Sequence, residues 1–212
     1  MIATVLMGGL LQIFMGTAMS QAQPFVPGEV LVRFAAGSEG RRATQLSAAA
    51  TPPDLGLLTS VTAAVGEQVD TPLRPVRLSG GEWLVLRVPM DDLARRTADR
   101  LARCPRVARA TREPGDSTRA AVRTTFQPGS AEARHLARAR QPNGKAQLDS
   151  LVTDVARRIR TPLKGAVSGE ELLIEVDLEA LTLQLVDRLN ALPEIESAQP
   201  NFRVRPFGPR TP

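Results

Sequence analysis

Hydrophobic and polar positions along the chain alternate first with a strand period and then with a helix period, and the order recurs. Glu29 to Phe34 is a β-branched run opened by Pro27 and Gly28, which predicts a strand. Glu39 to Ala50 predicts a helix that Pro52 and Pro53 end. A long, poorly periodic connection leads to a short strand at Val76 to Leu78. Ser79, Gly80 and Gly81 then give a hairpin turn into a strand from Trp83 to Val88. Asp91 or Asp92 can cap a helix to Arg103, with Leu93, Ala94, Ala98, Leu101 and Ala102 near helical spacing. Pro105 forces the chain out, and Val107 to Thr111 predicts a closing strand.

The same order follows again. A strand is expected over Ala120 to Phe126 and a helical region over Ala131 to Arg140. Pro142 to Gly144 breaks that region, and a helix resumes from Leu148 to Ile159. Strands over Leu163 to Val167 and Leu172 to Leu178 flank a turn at Ser168 and Gly169. A helix from Glu179 to Leu192 carries Leu181, Leu185, Val186, Leu189 and Leu192 on one face. Ile195 to Ala198 and Phe202 to Val204 read as the terminal strand.

A register of 88 residues superposes the two series. Gly81 to Val88 falls on Gly169 to Val176, Asp99-Arg100-Leu101 on Asp187-Arg188-Leu189, Pro105 on Pro193, Val107 on Ile195 and Ala110 on Ala198. Each copy reads β-α-β-β-α-β. The expected fold is therefore α+β: two tandem ferredoxin-like (βαββαβ) domains, at 25–114 and 118–206, each an antiparallel sheet with helices on one face, followed by a tail at 207–212. About 90 residues give such a unit a modest core, so a pair is physically reasonable.

Composition narrows the function. The chain has 212 residues, 42% hydrophobic and 23% charged, which suits a folded protein. The net charge of +5 is almost all arginine, because Lys145 and Lys164 are the only lysines. These arginines are interleaved with acids and few aromatics accompany them, so nucleic acid is not an expected partner. The single cysteine, Cys104, excludes an internal disulfide and a cysteine-based metal site. It reads as a half-buried small apolar residue. No cofactor is expected.

Ile2 to Met19 carries no charge and is apolar, like the core of a secretory signal. Small residues at Ala18, Ser20 and Ala22 fit cleavage after Ser20 or Ala22. The expectation is a signal peptide over 1–22 and a secreted or periplasmic protein with no membrane span after cleavage. An uncleaved anchor is the competing reading.

The two ends of the repeat pair carry a family resemblance. Val26-Pro27-Gly28-Glu29-Val30-Leu31-Val32-Arg33-Phe34 and Leu189 through Phe202, with Ala198-Gln199-Pro200-Asn201-Phe202 at its close, resemble the opening and the end of the prodomain of subtilisin-like serine proteases. The opening lies in the first copy and the close in the second. Gln199 stands where that family has an acid. The first copy's own close, Ala110 to Gly115, is degenerate, and the second copy lacks a Pro-Gly-Glu lead.

That resemblance implies a non-catalytic protein that binds and inhibits or chaperones a subtilisin-like serine protease. It would act through an open sheet face and a C-terminal segment that adds to the enzyme as a strand. The residues it points to are Asn201, Phe202, Arg203, Val204, Arg205 and Phe207, with Pro206 and Pro209 stiffening the tail. The alternative is a structural or assembly module that keeps the fold without a protease partner, its two open sheet faces packed together. An enzyme is not expected. The only histidine, His135, sits in an arginine-rich helical stretch with no nucleophile context, and reads as an exposed helix residue. Glu170, Glu171 and Asp177 are candidate acids only in the sense that they flank a turn; solvated charge is the simpler reading.

Overall fold

The computed structural model describes residues 24–113 and 118–203. Among them the chain is α+β, with two four-stranded antiparallel sheets and six α-helices. The elements are β1 (Phe25–Phe34), α1 (Glu39–Ala49), a 3₁₀ turn (Leu55–Leu58), α2 (Thr59–Gln68), β2 (Arg74–Ser79), β3 (Trp83–Arg87), α3 (Met90–Ala102) and β4 (Val107–Arg112). The second series is β5 (Ala121–Phe126), α4 (Ala131–Ala139), α5 (Lys145–Ile159), β6 (Leu163–Ser168), β7 (Glu171–Val176), α6 (Leu178–Asn190) and β8 (Ile195–Phe202). The signal expected at 1–22 and the tail at 207–212 lie outside the described residues. No described helix is long and apolar enough to cross a membrane.

The sheets do not follow the repeats. One has the order β2-β3-β1-β8 and the other β4-β5-β7-β6, so each copy gives its last strand to the other copy's sheet. The preceding helices go with the strands, α6 as a whole and α3 through its C-terminal half, since Leu93 and Ala94 stay in the first core. Leu181, Leu185 and Leu189 of α6 share a buried core with Val30, Val32, Phe34, Leu84 and Leu86, whereas Leu101 of α3 lies with Val122, Phe126, Leu172 and Ile174. This corrects the expectation that the four strands of each copy close one sheet. The hydrophobic pattern within each element cannot distinguish the two arrangements, because strand and helix bury the same face in either.

Charge can distinguish them. In the 88-residue register Asn201 matches Glu113. Asn201 Nδ2 donates to Glu29 Oε2 at 2.6 Å, with Glu29 only 7% exposed. Returned to its own copy's sheet, β4 would set Glu113 beside that buried carboxylate, and like charges in facing positions destabilise a sheet. In the observed arrangement Glu113 instead accepts from Arg123 Nη2 at 2.6 Å, across the β4–β5 pair. Arg123 also reaches Glu171 at 3.3 Å, and its pKa is raised chiefly by the bond to Glu113.

The junction between the halves is built twice. Arg100 of α3 donates to Thr161 Oγ1 at 3.0 Å and Ile159 O at 3.5 Å, at the end of α5. Its counterpart Arg188 of α6 donates to Val69 O at 3.1 Å, just past α2. Cations at helix C-termini meet the carbonyls left without helical donors. These helix ends and turns join the two halves.

Three local expectations need correction. The connection before β2 holds the 3₁₀ turn and α2, whose Leu58, Thr62, Val65 and Val69 are buried at helical spacing. Threonines, a glycine and few large apolar residues hide that stripe from a hydropathy reading. The terminal strand is continuous through Pro200, because β8 is an edge strand and proline at an edge need not break a ladder bond. His135 is half-buried on α4, not exposed. Cys104 is partly buried, and its thiol lies 3.5 Å from Arg100 O.

Glu132, in the first turn of α4, is 4% exposed and accepts from Arg158 at 2.5 Å and Arg106 at 3.2 Å. Burial alone would raise its pKa. The bonds from Arg158, from its own backbone amide and from Arg106 outweigh that, and the net shift is downward. A lowered carboxylate pKa stabilises the fold above the unfolded value of about 4.3, and this is lost as pH falls through the folded value. Glu132→Gln is expected to cost about 1.5–3 kcal/mol at pH 7. Urea melts should show that gap closing as pH drops below about 4.

Candidate docking face

The exchange sets the two motif-bearing strands side by side. β1 pairs with β8 in antiparallel register, Val30 opposite Pro200, Leu31 opposite Gln199, Val32 opposite Ala198 and Arg33 opposite Ser197. Side chains alternate across a strand. Val30, Val32 and Phe34 therefore point to the helices, and Leu31 and Arg33 to the other face. On β3, Leu84 and Leu86 face the core while Trp83, Val85 and Arg87 lie with Leu31 and Arg33.

This outer face has an apolar centre in a charged frame. Val85 is fully buried although it lies away from the helix-side core; Leu31 and Arg77 are its cross-strand partners. The Arg33 guanidinium lies 5.3 Å from the centroid of the Trp83 ring, a cation–π distance, and pairs with Glu196 at 2.6 Å. At the opposite end Arg87 donates to Glu29 Oε1 through Nε at 2.8 Å and Nη2 at 2.5 Å. Glu29 thus joins β3, β1 and β8 with both oxygens satisfied.

Gly28 explains the glycine of the opening motif. Its φ of +80° lies in the left-handed region that side chains avoid, and its amide donates to Thr182 Oγ1 of α6 at 2.7 Å. The first copy's opening turn is thereby fastened to the second copy's exchanged helix.

The residues singled out in sequence separate into two groups. Asn201 lies on the outer face but is buried there and consumed by Glu29; it positions the strand end and is not a free contact. Phe202, opposite Phe25, is half-buried, and Arg203 is exposed, its amide donating to Pro24 O at 2.9 Å. Val204, Arg205 and Phe207 lie outside the described residues. Leu31, Trp83 and Val85 were missed as face residues. Their signal was the strand alternation itself, Trp83 and Val85 falling in phase with Leu31 and Arg33.

The outer face of the other sheet is charged by contrast, with Arg123 between Glu113 and Glu171, and Lys164 3.1 Å from Asp177. Glu171 and Asp177 are thus held in ion pairs. No group of three or more histidine, cysteine or acidic residues able to hold a metal occurs among the described residues. No family model, no curated protein and no solved structure matches the chain.

Proposed function

We propose that this is an exported, non-catalytic protein of two ferredoxin-like units with exchanged final strands, which docks on a subtilisin-like serine protease through the β2-β3-β1-β8 face and the segment after β8. The strand orders support the ferredoxin-like reading: with the exchanged strand counted as fourth, each sheet runs 4-1-3-2 in βαββαβ numbering.

One observation carries the functional reading. The prodomain-like opening and close, split between copies in sequence, are neighbours in one sheet and locked by Glu29 and Asn201. The two degenerate ends pair with each other in the second sheet. The first sheet thus keeps the whole motif, and the second serves as its support. Docking by face is favoured over pairing along the β8 edge, since Pro200 offers no amide there. Leu31 and Trp83, both partly exposed, supply the apolar centre that a binding face needs, with Val85 buried beneath them, and tryptophan and arginine are the residues that dominate such contacts.

The test is slow-binding inhibition of a subtilisin-like protease by residues 24–212. Removing residues 204–212 is expected to weaken inhibition at least about 100-fold, and Trp83→Ala about tenfold. Folded protein that leaves the protease unaffected, or inhibition indifferent to both changes, would overturn the proposal.

A further inference from the structure

The two junctions described above differ in charge, and the difference leaves one of them open to a ligand. Around the end of α2, a register of 90 residues matches Val69-Asp70-Thr71-Pro72-Leu73 to Ile159-Arg160-Thr161-Pro162-Leu163. The structure makes that match geometric. Asp70 and Arg160 both have φ of 55°, and Thr71 and Thr161 are both buried.

At the first junction the set Glu67, Asp70, Arg96 and Arg100 is self-neutralising. Arg96 pairs with Glu67 and lies 3.9 Å from Asp70, and Arg100 pairs with Asp70. At the second junction the matching positions are Arg157, Arg160, Gln184 and Arg188. Both acids have become arginines, and one arginine has become glutamine. The only acid paired with this set among the described residues is Asp154, 3.0 Å from Arg157. These four residues, with Thr153, line an open cavity of about 570 Å³ between α5 and α6.

We infer that this cavity binds a multiply charged oxyanion, a polycarboxylate or a polyphosphate. Three guanidinium groups carry more charge than Asp154 and the partial negative charge at the end of α5 offset. Arginine is the side chain suited to bidentate binding of both anion types. Arg188 is held by its bonds to Val69 O and Arg160 O, so one wall of the site is preset. The cavity volume lies in the range of small-molecule sites. The site shares no residue with the docking face and does not depend on protease binding.

Calorimetric titration of the full chain with citrate and with pyrophosphate, at a fixed ionic strength of about 0.15 M, tests the inference and separates the two sources. One saturable site is expected for at least one anion. Arg157→Glu with Arg160→Asp rebuilds the acids of the first junction and should weaken binding at least about 30-fold, with a cooperative thermal transition retained. Arg42→Glu with Arg134→Glu changes net charge equally at exposed positions and should weaken it less than about threefold. Equal weakening by both pairs, or titrations that never saturate with either anion, would overturn the site.

Discussion

Residues 24–117 and 118–203, produced as separate chains, are expected to lack a cooperative unfolding transition when alone and to recover one when mixed. The first fragment keeps β2, β3 and β1 but loses β8 and α6. Val30, Val32, Leu84 and Leu86, all fully buried in the whole protein, would then lose the helix that carries Leu181, Leu185 and Leu189. Burying one such side chain contributes about 1.5–3 kcal/mol, so uncovering several exceeds the whole stability of a small domain. The fragment could refold only by turning its own β4 back onto β1. That would set Glu113 against Glu29, with its usual partner Arg123 left on the other fragment. The second fragment has the matching defect, with α3 and β4 gone from its sheet. Circular dichroism melts of each fragment and of the equimolar mixture decide it. Two fragments that each melt cooperatively as monomers would show that the copies close on themselves.

The elements were largely legible because their causes are local. Strand alternation, the Gly80-Gly81 and Gly169 turns, and the stripe of Leu181, Leu185 and Leu189 all sit within single elements, and the structure places them within a few residues of the expected bounds. The helix α2 was not legible, since its buried face is built from Thr62, Val65 and Val69 rather than leucines. The exchange was illegible for a different reason. It is a choice between two partners with the same pattern, decided by side chains far apart in sequence: Glu29 and Asn201, Gly28 and Thr182, Arg188 and Val69. One local sign did exist. The short connection from Arg112 to Ala121 suits an antiparallel hairpin better than a crossing between separate sheets. The docking face was half legible: the motif ends were found in sequence, but their meeting in one sheet depends on the exchange.

Leu189→Ala and Leu101→Ala, equivalent positions in the 88-residue register, are expected to damage opposite sheets, each in the copy to which it does not belong. Both side chains are fully buried, and truncating such a leucine costs about 2–5 kcal/mol through lost burial and the cavity left behind. Leu189 belongs to the second copy but packs in the core with Val30, Val32 and Leu86 of the first. Leu101 belongs to the first copy and packs with Val122, Leu172 and Ile174 of the second. Hydrogen exchange resolves where a protein opens locally. Leu189→Ala should speed exchange most at the amides of β1 and β3, and Leu101→Ala most at those of β5 and β7. Only Leu189→Ala loosens the face that carries Trp83 and Arg33, so it alone should weaken protease inhibition at temperatures where both variants remain folded. Faster exchange confined to the mutated copy in each case would contradict the strand exchange, and with it the meeting of the two motif ends on which the docking face depends.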